Sequence, residues 1–140
     1  MKRRLLLLAL VFPMLASRLL AQASDAGSAV DGPKLVCDEP VYQFGHVDQS
    51  AVVTNIFIIR NEGGTTFVAG MPRTGCGCTQ AKLSKRMIGP GETAELTAVF
   101  TAARRAGEQK KSIYLPPADS NDPAIILYMQ GFVERPAETP

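Results

Sequence analysis

The chain has 140 residues, the size of a single domain, with 46% hydrophobic residues, no Trp and one His. Its formal charge of +2 leans on Lys2, Arg3, Arg4 and Arg18; without these four, 11 of the 15 basic residues face 13 acidic ones, net −2. A weakly acidic domain carries no electrostatic footprint for nucleic acid, and that class of partner is set aside.

The N-terminus has the three parts of an export signal. Lys2 to Arg4 are basic, Leu5 to Ala16 are apolar apart from Pro13, and Ala21-Gln22-Ala23 offers small residues for cleavage after Ala23. The apolar run stops at Ser17-Arg18, short of the roughly 20 residues a membrane span needs, so no span is expected after cleavage. Residues 1–23 therefore read as a cleaved signal peptide, and the mature chain as periplasmic or extracellular, where thiols meet an oxidising medium. Residues 24–33 (SDAGSAVDGP) read as a disordered linker, 34–133 as the folded domain and 134–140 as a polar tail.

Within 34–133 the signal is β throughout. Lys34 to Cys37 is a short strand that Pro40 interrupts and Val41 to Phe44 resumes, as in an edge strand that switches sheets. Gly45 to Ser50 reads as a turn. Ala51 to Arg60 is the strongest strand, with Val53, Asn55, Phe57 and Ile59 on one face. Val52, Ile56 and Ile58 make its other face apolar too, which predicts a cover over that face. Strands follow at Thr65 to Met71, Cys78 to Leu83, Glu92 to Thr101, Lys110 to Leu115 and Ala124 to Val133, separated by turns such as Gly89-Pro90-Gly91. The inward parities place Phe44, Phe57, Ile59, Leu96, Phe100, Ile113, Leu127 and Met129 in one core. About seven short, evenly spaced strands predict an all-β, immunoglobulin-like antiparallel β-sandwich.

The ordered landmarks Phe44-Gly45, Asn61-x-Gly63, Cys76-Gly77-Cys78-Thr79, Pro90-Gly91-Glu92, Phe100 and Gly131-x-Val133 resemble the bacterial exported family catalogued as domain of unknown function 1573. That family is similar to the Hydin-type and major-sperm-protein-like immunoglobulin folds. The resemblance spans about Lys34 to Val133 and implies a seven-stranded sandwich with no established activity. Physically, Gly45 and Gly63 suit turns with positive φ, Asn61 can bond turn backbone, Pro90-Gly91 fits a type II turn, and Gly131 permits a bulge or close packing.

Enzymatic signatures are missing from the sequence: it has no G-x-S-x-G, no P-loop, no H-E-x-x-H and no carboxylate pair suited to glycoside hydrolysis. What is unusual is the pair Cys76 and Cys78 in a glycine-flanked turn. Three readings stand together. The thiols pack under a loop as small polarizable groups; they form a tight, labile disulfide; or, as thiolates, they hold a soft metal such as Cu(I) or Zn(II). Two sulfurs alone do not complete a four-ligand zinc site. An up-and-down strand count places Gly45-His46, Gly75 to Cys78 and Ala102 to Gly107 at one pole. His46 or Met71 would then be a third ligand, and Arg104 and Arg105 would favour thiolate. Cys37 lies down the first strand, as a buried small hydrophobe. The function expected is a non-catalytic module of the cell envelope that binds an envelope or extracellular protein and needs no cofactor. The alternative is a thiol-based Cu(I) or redox site at the turn.

Overall fold

A computed structural model describes residues 32–136, so the expected signal peptide, most of the expected linker and the last four residues lie outside the described residues. The alternation of apolar and polar residues is realised as ten strands. They are β1 (Leu35–Val36), β2 (Val41–Val47), β3 (Val52–Asn61), β4 (Phe67–Val68), β5 (Arg73–Thr74), β6 (Thr79–Leu83), β7 (Met87–Ile88), β8 (Thr93–Thr101), β9 (Gly107–Leu115) and β10 (Ile125–Val133). Six are five residues or longer; the other four are two-residue pairings, which is why the sequence alone suggested about seven.

Two four-stranded sheets face each other as an immunoglobulin-like sandwich, sheet I in the order β1-β3-β8-β6 and sheet II in the order β2-β10-β9-β5. A two-stranded ribbon, β4-β7, buries Phe67 and Ile88 against the end of the sandwich. The expectation of a wholly antiparallel arrangement is corrected at one place: β2 and β10 run parallel, with Val41 opposite Tyr128 and Val47 opposite Val133. The Pro40 break allows this. The chain leaves β1 on sheet I and crosses to sheet II, where the Pro40 carbonyl accepts the Tyr128 amide.

The inward parity holds. Phe57, Ile59, Leu96, Phe100, Ile113, Leu127 and Met129 are buried in one cluster, and Phe44 packs on it with its ring stacked on Phe100, centroids 5.4 Å apart. The expected turn at Gly45 to Ser50 starts later, because β2 continues to Val47 through a bulge. Gly45 has φ 68°, the register slips between Gln130 and Gly131, and a Cβ on Gly131 would lie 2.5 Å from the Gly45 carbonyl oxygen. Gly63, in contrast, has no positive φ. It is small because the incoming backbone at Gly32 to Lys34 runs against it.

Asn61 ties that entry down. Its fully buried amide oxygen accepts from the Lys34 and Gly63 amides (3.0 and 2.9 Å), and its amide nitrogen donates to the Thr65 and Ile88 carbonyls (2.7 and 2.9 Å). One side chain thus serves four backbone groups that three loops would leave unpaired.

Candidate functional site

The glycine-flanked turn joins β5, the edge of sheet II, to β6, the edge of sheet I. Thr74 holds its shape: the Thr74 hydroxyl points at the Cys76 and Thr79 carbonyls (3.1 and 2.8 Å), and the Thr79 amide donates back to the Cys76 carbonyl. Both sides are anchored, Gly75 to Ser112 of β9 and Cys78 to Thr101 of β8. Of the three readings open in the sequence, the structure takes the disulfide. Cys76 and Cys78 are bonded to each other, with Cα atoms 5.2 Å apart, at the low end of the usual range. Both residues are half-buried, and the Gly77 between them is exposed. The Thr79 hydroxyl sits 3.7 and 3.8 Å from the two sulfurs. Thr79 is buried, a role the sequence reading missed, although a hydroxyl directly after the second cysteine was the available signal.

The strand order carries His46 away from the turn. His46 is on β2, the opposite edge of sheet II from β5, and three strand spacings separate those edges by ~14 Å. Its ring stacks on Phe132 and its Nδ1 lies 2.6 Å from a Glu134 carboxylate oxygen. Met71 is 74% exposed in the loop before β5. On that spacing His46 does not reach the sulfurs. The strand count placed these segments at one end of the sandwich without placing them on one edge. Among the described residues no group of three or more His, Cys, Asp or Glu side chains stands together to hold a metal ion.

Arg104 serves the loop backbone, with φ 60°. Arg105 turns back instead: its carbonyl accepts from Gln49 Nε2 at 2.6 Å, and its buried Nε has no hydrogen-bond partner among the described residues. Beside it is Lys111, whose ammonium lies 5.4 Å from the Phe100 ring centre. Burial, and then the Arg105 charge, hold the Lys111 ammonium below its ordinary range. Lys111 has the inward parity of Ile113 and Leu115, a signal present in the sequence and not used. Cys37 keeps a free thiol that packs against the core and lines a hollow at the other side of the sandwich. Burial, above all, raises its pKa.

The model of the family described as "Protein of unknown function (DUF1573)" matches residues 35–133. The chain belongs to that family. The DUF1573 match covers every strand described above, so the disulfide turn, the bulge and the Asn61 anchor all lie inside it. No curated protein sequence matches the chain at a significant level.

Solved structures share the fold. A protein of unknown function from Porphyromonas gingivalis W83 is 14% identical over 76% of this chain, with a TM-score of 0.61; the DUF1573 chain spans half of that protein's length. The secreted serine protease VesC from Vibrio cholerae is 10% identical, with a TM-score of 0.53; the match takes 73% of this chain and 23% of the protease. PapD-like domain 7 of human CEP192 is 11% identical over 74% of this chain and 87% of that domain, with a TM-score of 0.50. At these identities the likeness is one of fold alone.

Proposed function

We propose that the protein is an exported, non-catalytic, protein-binding module of the cell envelope. One observation carries the reading: the outer face of β3 is apolar and uncovered among the described residues. Val52, Ile56 and Ile58 are 61%, 52% and 50% exposed in a row on one strand. The sequence predicted a cover for this face. An apolar row left open on an otherwise well-packed sandwich marks a contact surface. The export signal and the cell-envelope setting rest on residues 1–23 and are tested by the mature N-terminus, expected at Ser24.

The binding test compares the parent with a Val52→Ser/Ile56→Ser/Ile58→Ser variant in cross-linking from envelope extracts. The side chains are exposed, so the variant is expected to keep its thermal unfolding midpoint within a few degrees while losing the cross-linked partner. Equal cross-linking by both proteins overturns the reading.

A second reading belongs to the turn, and the Cys76–Cys78 bond favours it: the site is an exchangeable disulfide. A substrate thiolate attacks one sulfur, forming a mixed disulfide and releasing the other cysteine as thiolate. A second substrate thiol then resolves the mixed disulfide, so two thiols become one disulfide and the turn becomes a dithiol. The reduced turn offers two thiolates, and with them the alternative of Cu(I) binding. Incubation in glutathione buffers of graded potential, read by mass after alkylation, tests exchange; a turn that stays oxidised across the series removes it. A loop this small restricts the unfolded chain by only about 1–2 kcal/mol, so Cys76→Ser/Cys78→Ser should fold while losing exchange and Cu(I) binding. A loss above about 4 kcal/mol with metal content unchanged makes the turn a structural staple instead.

A further inference from the structure

Sheet I has two kinds of edge. At one side β6 pairs with β8 along its whole length. At the other, β1 pairs with β3 only at Arg60 and Asn61, and on that side the rest of β3 has no strand partner among the described residues. The direction of the free backbone groups follows from the ladder. The Thr101 amide donates to Cys78, so Thr101 faces β6, and its partner Val52 faces away from β8. Antiparallel pairing alternates, so the amides and carbonyls of Val52, Thr54, Ile56 and Ile58 all point out along the open edge. Glu62, of the same parity, confirms the direction by donating to Lys34 on that side. The stretch Val52–Ile58 holds no charge, proline or glycine, which are the devices that keep an exposed edge from pairing.

Beside this edge is a hollow of about 270 Å³, between β3 and the crossover from β1 to β2. It is lined by Cys37, Tyr42 and residues 55–58 of β3, together with the exposed Asp38 and Glu39. Asp38 touches Arg60 at 3.7 Å, and Glu39 makes no ion pair among the described residues. Burial raises the Cys37 pKa, a backbone hydrogen bond at Glu39 works against it, and the Asp38 and Glu39 charges add smaller upward pushes. Walls of mixed apolar and polar groups with an acidic mouth fit a long side chain with an apolar stem and a cationic head.

We propose that the open edge of β3 takes an extended segment of a partner polypeptide as an added strand, with a lysine or arginine of that segment entering the hollow toward Asp38 and Glu39. The proposal rests on the protein-binding reading and names its partner's chemistry. Outward residues of the added strand lie beside Val52, Ile56 and Ile58. Inward ones point the same way as Asn55 and Phe57, into the hollow. Main-chain hydrogen bonds supply the register and the cation supplies selectivity.

The test presents the purified protein to a display library of random dodecapeptides. Enriched peptides are expected to alternate apolar and polar residues with a Lys or Arg at an inward position. A synthetic copy should slow hydrogen exchange at Thr54, Ile56 and Ile58 at least tenfold. N-methylation of its pairing amides should abolish that protection, an arm that needs no protein variant. Asp38→Lys/Glu39→Lys should weaken the peptide at least tenfold. Enriched peptides that protect other amides, or that tolerate both N-methylation and the charge reversal, overturn the added strand and leave the binding module in place. A library that enriches nothing overturns both. Sedimentation showing a dimer with this edge already protected assigns the edge to a second copy and overturns the proposal.

Discussion

Asn61 does the work of a whole turn at one position. Its amide is both donor and acceptor, and the site uses both ends. Asn61→Asp keeps the shape and loses the donor, so a buried carboxylate would face the Thr65 and Ile88 carbonyls. We expect a loss of roughly 2–4 kcal/mol at neutral pH. Burial raises the folded-state pKa of the introduced acid, so the variant's deficit against the parent should be smallest below about pH 4 and grow as pH rises. An unfolding series across pH checks both the size and the sign. Glu92 gives the opposite sign. Its carboxylate accepts from the Gly89 amide and from Lys85, each at 2.9 Å, which holds it below its ordinary value of 4.5. Its contribution is present above that value and is lost as pH falls through the folded-state pKa. Glu92→Gln should therefore be less stable than the parent at pH 7, and the gap should close in acid. A gap constant with pH would remove the ionic part of this account.

At the scale of the strand, β3 settles the parity of the molecule. Phe57 pairs across to Leu96, and Phe100 meets Val53 on one side and Thr79 on the other. Phe57→Ala or Phe100→Ala should each cost about 3–5 kcal/mol in chemical unfolding. Less than about 1 kcal/mol at both would contradict the packing. This parity was legible in the sequence because period-two alternation needs no knowledge of partners. The strand expected at Thr65 to Met71 is only the two-residue β4, and its partner β7 and the β5 pairing were not legible: two-residue strands carry no period, and Arg73-Thr74 is a strand only because Tyr114 and Ile113 are opposite. The extension of β2 to Val47 was hidden for a related reason. Gly45 reads locally as a turn, and only the slip at Gln130-Gly131, far along the chain, turns it into a bulge.

At the scale of the whole molecule, the two sides of the sandwich differ. On one, the β5-β6 connection carries the disulfide across from sheet to sheet; on the other, β3 and β2 part around the hollow. The sequence singled out the closed side through its cysteines. It gave no cue to the open side beyond the apolar outer face of β3, because an edge is a property of strand order. The expectation of His46 beside the sulfurs failed for the same reason.

The parallel pairing of β2 with β10 has a consequence for synthesis. Among the described strands β2 is the second in chain order, yet its one neighbour in sheet II is the last, β10. While the chain emerges from its N-terminus, Tyr42 and Phe44 have no strand to pair with in sheet II until residues 125–133 arrive. Sheet II is thus incomplete until β10 has been made. A chain ending at Ala124 keeps β1 to β9 and lacks β10, so it should show no cooperative unfolding transition by calorimetry. Loop closure over so long a span also slows the final step, so refolding should be limited by the docking of one strand rather than by the growth of many.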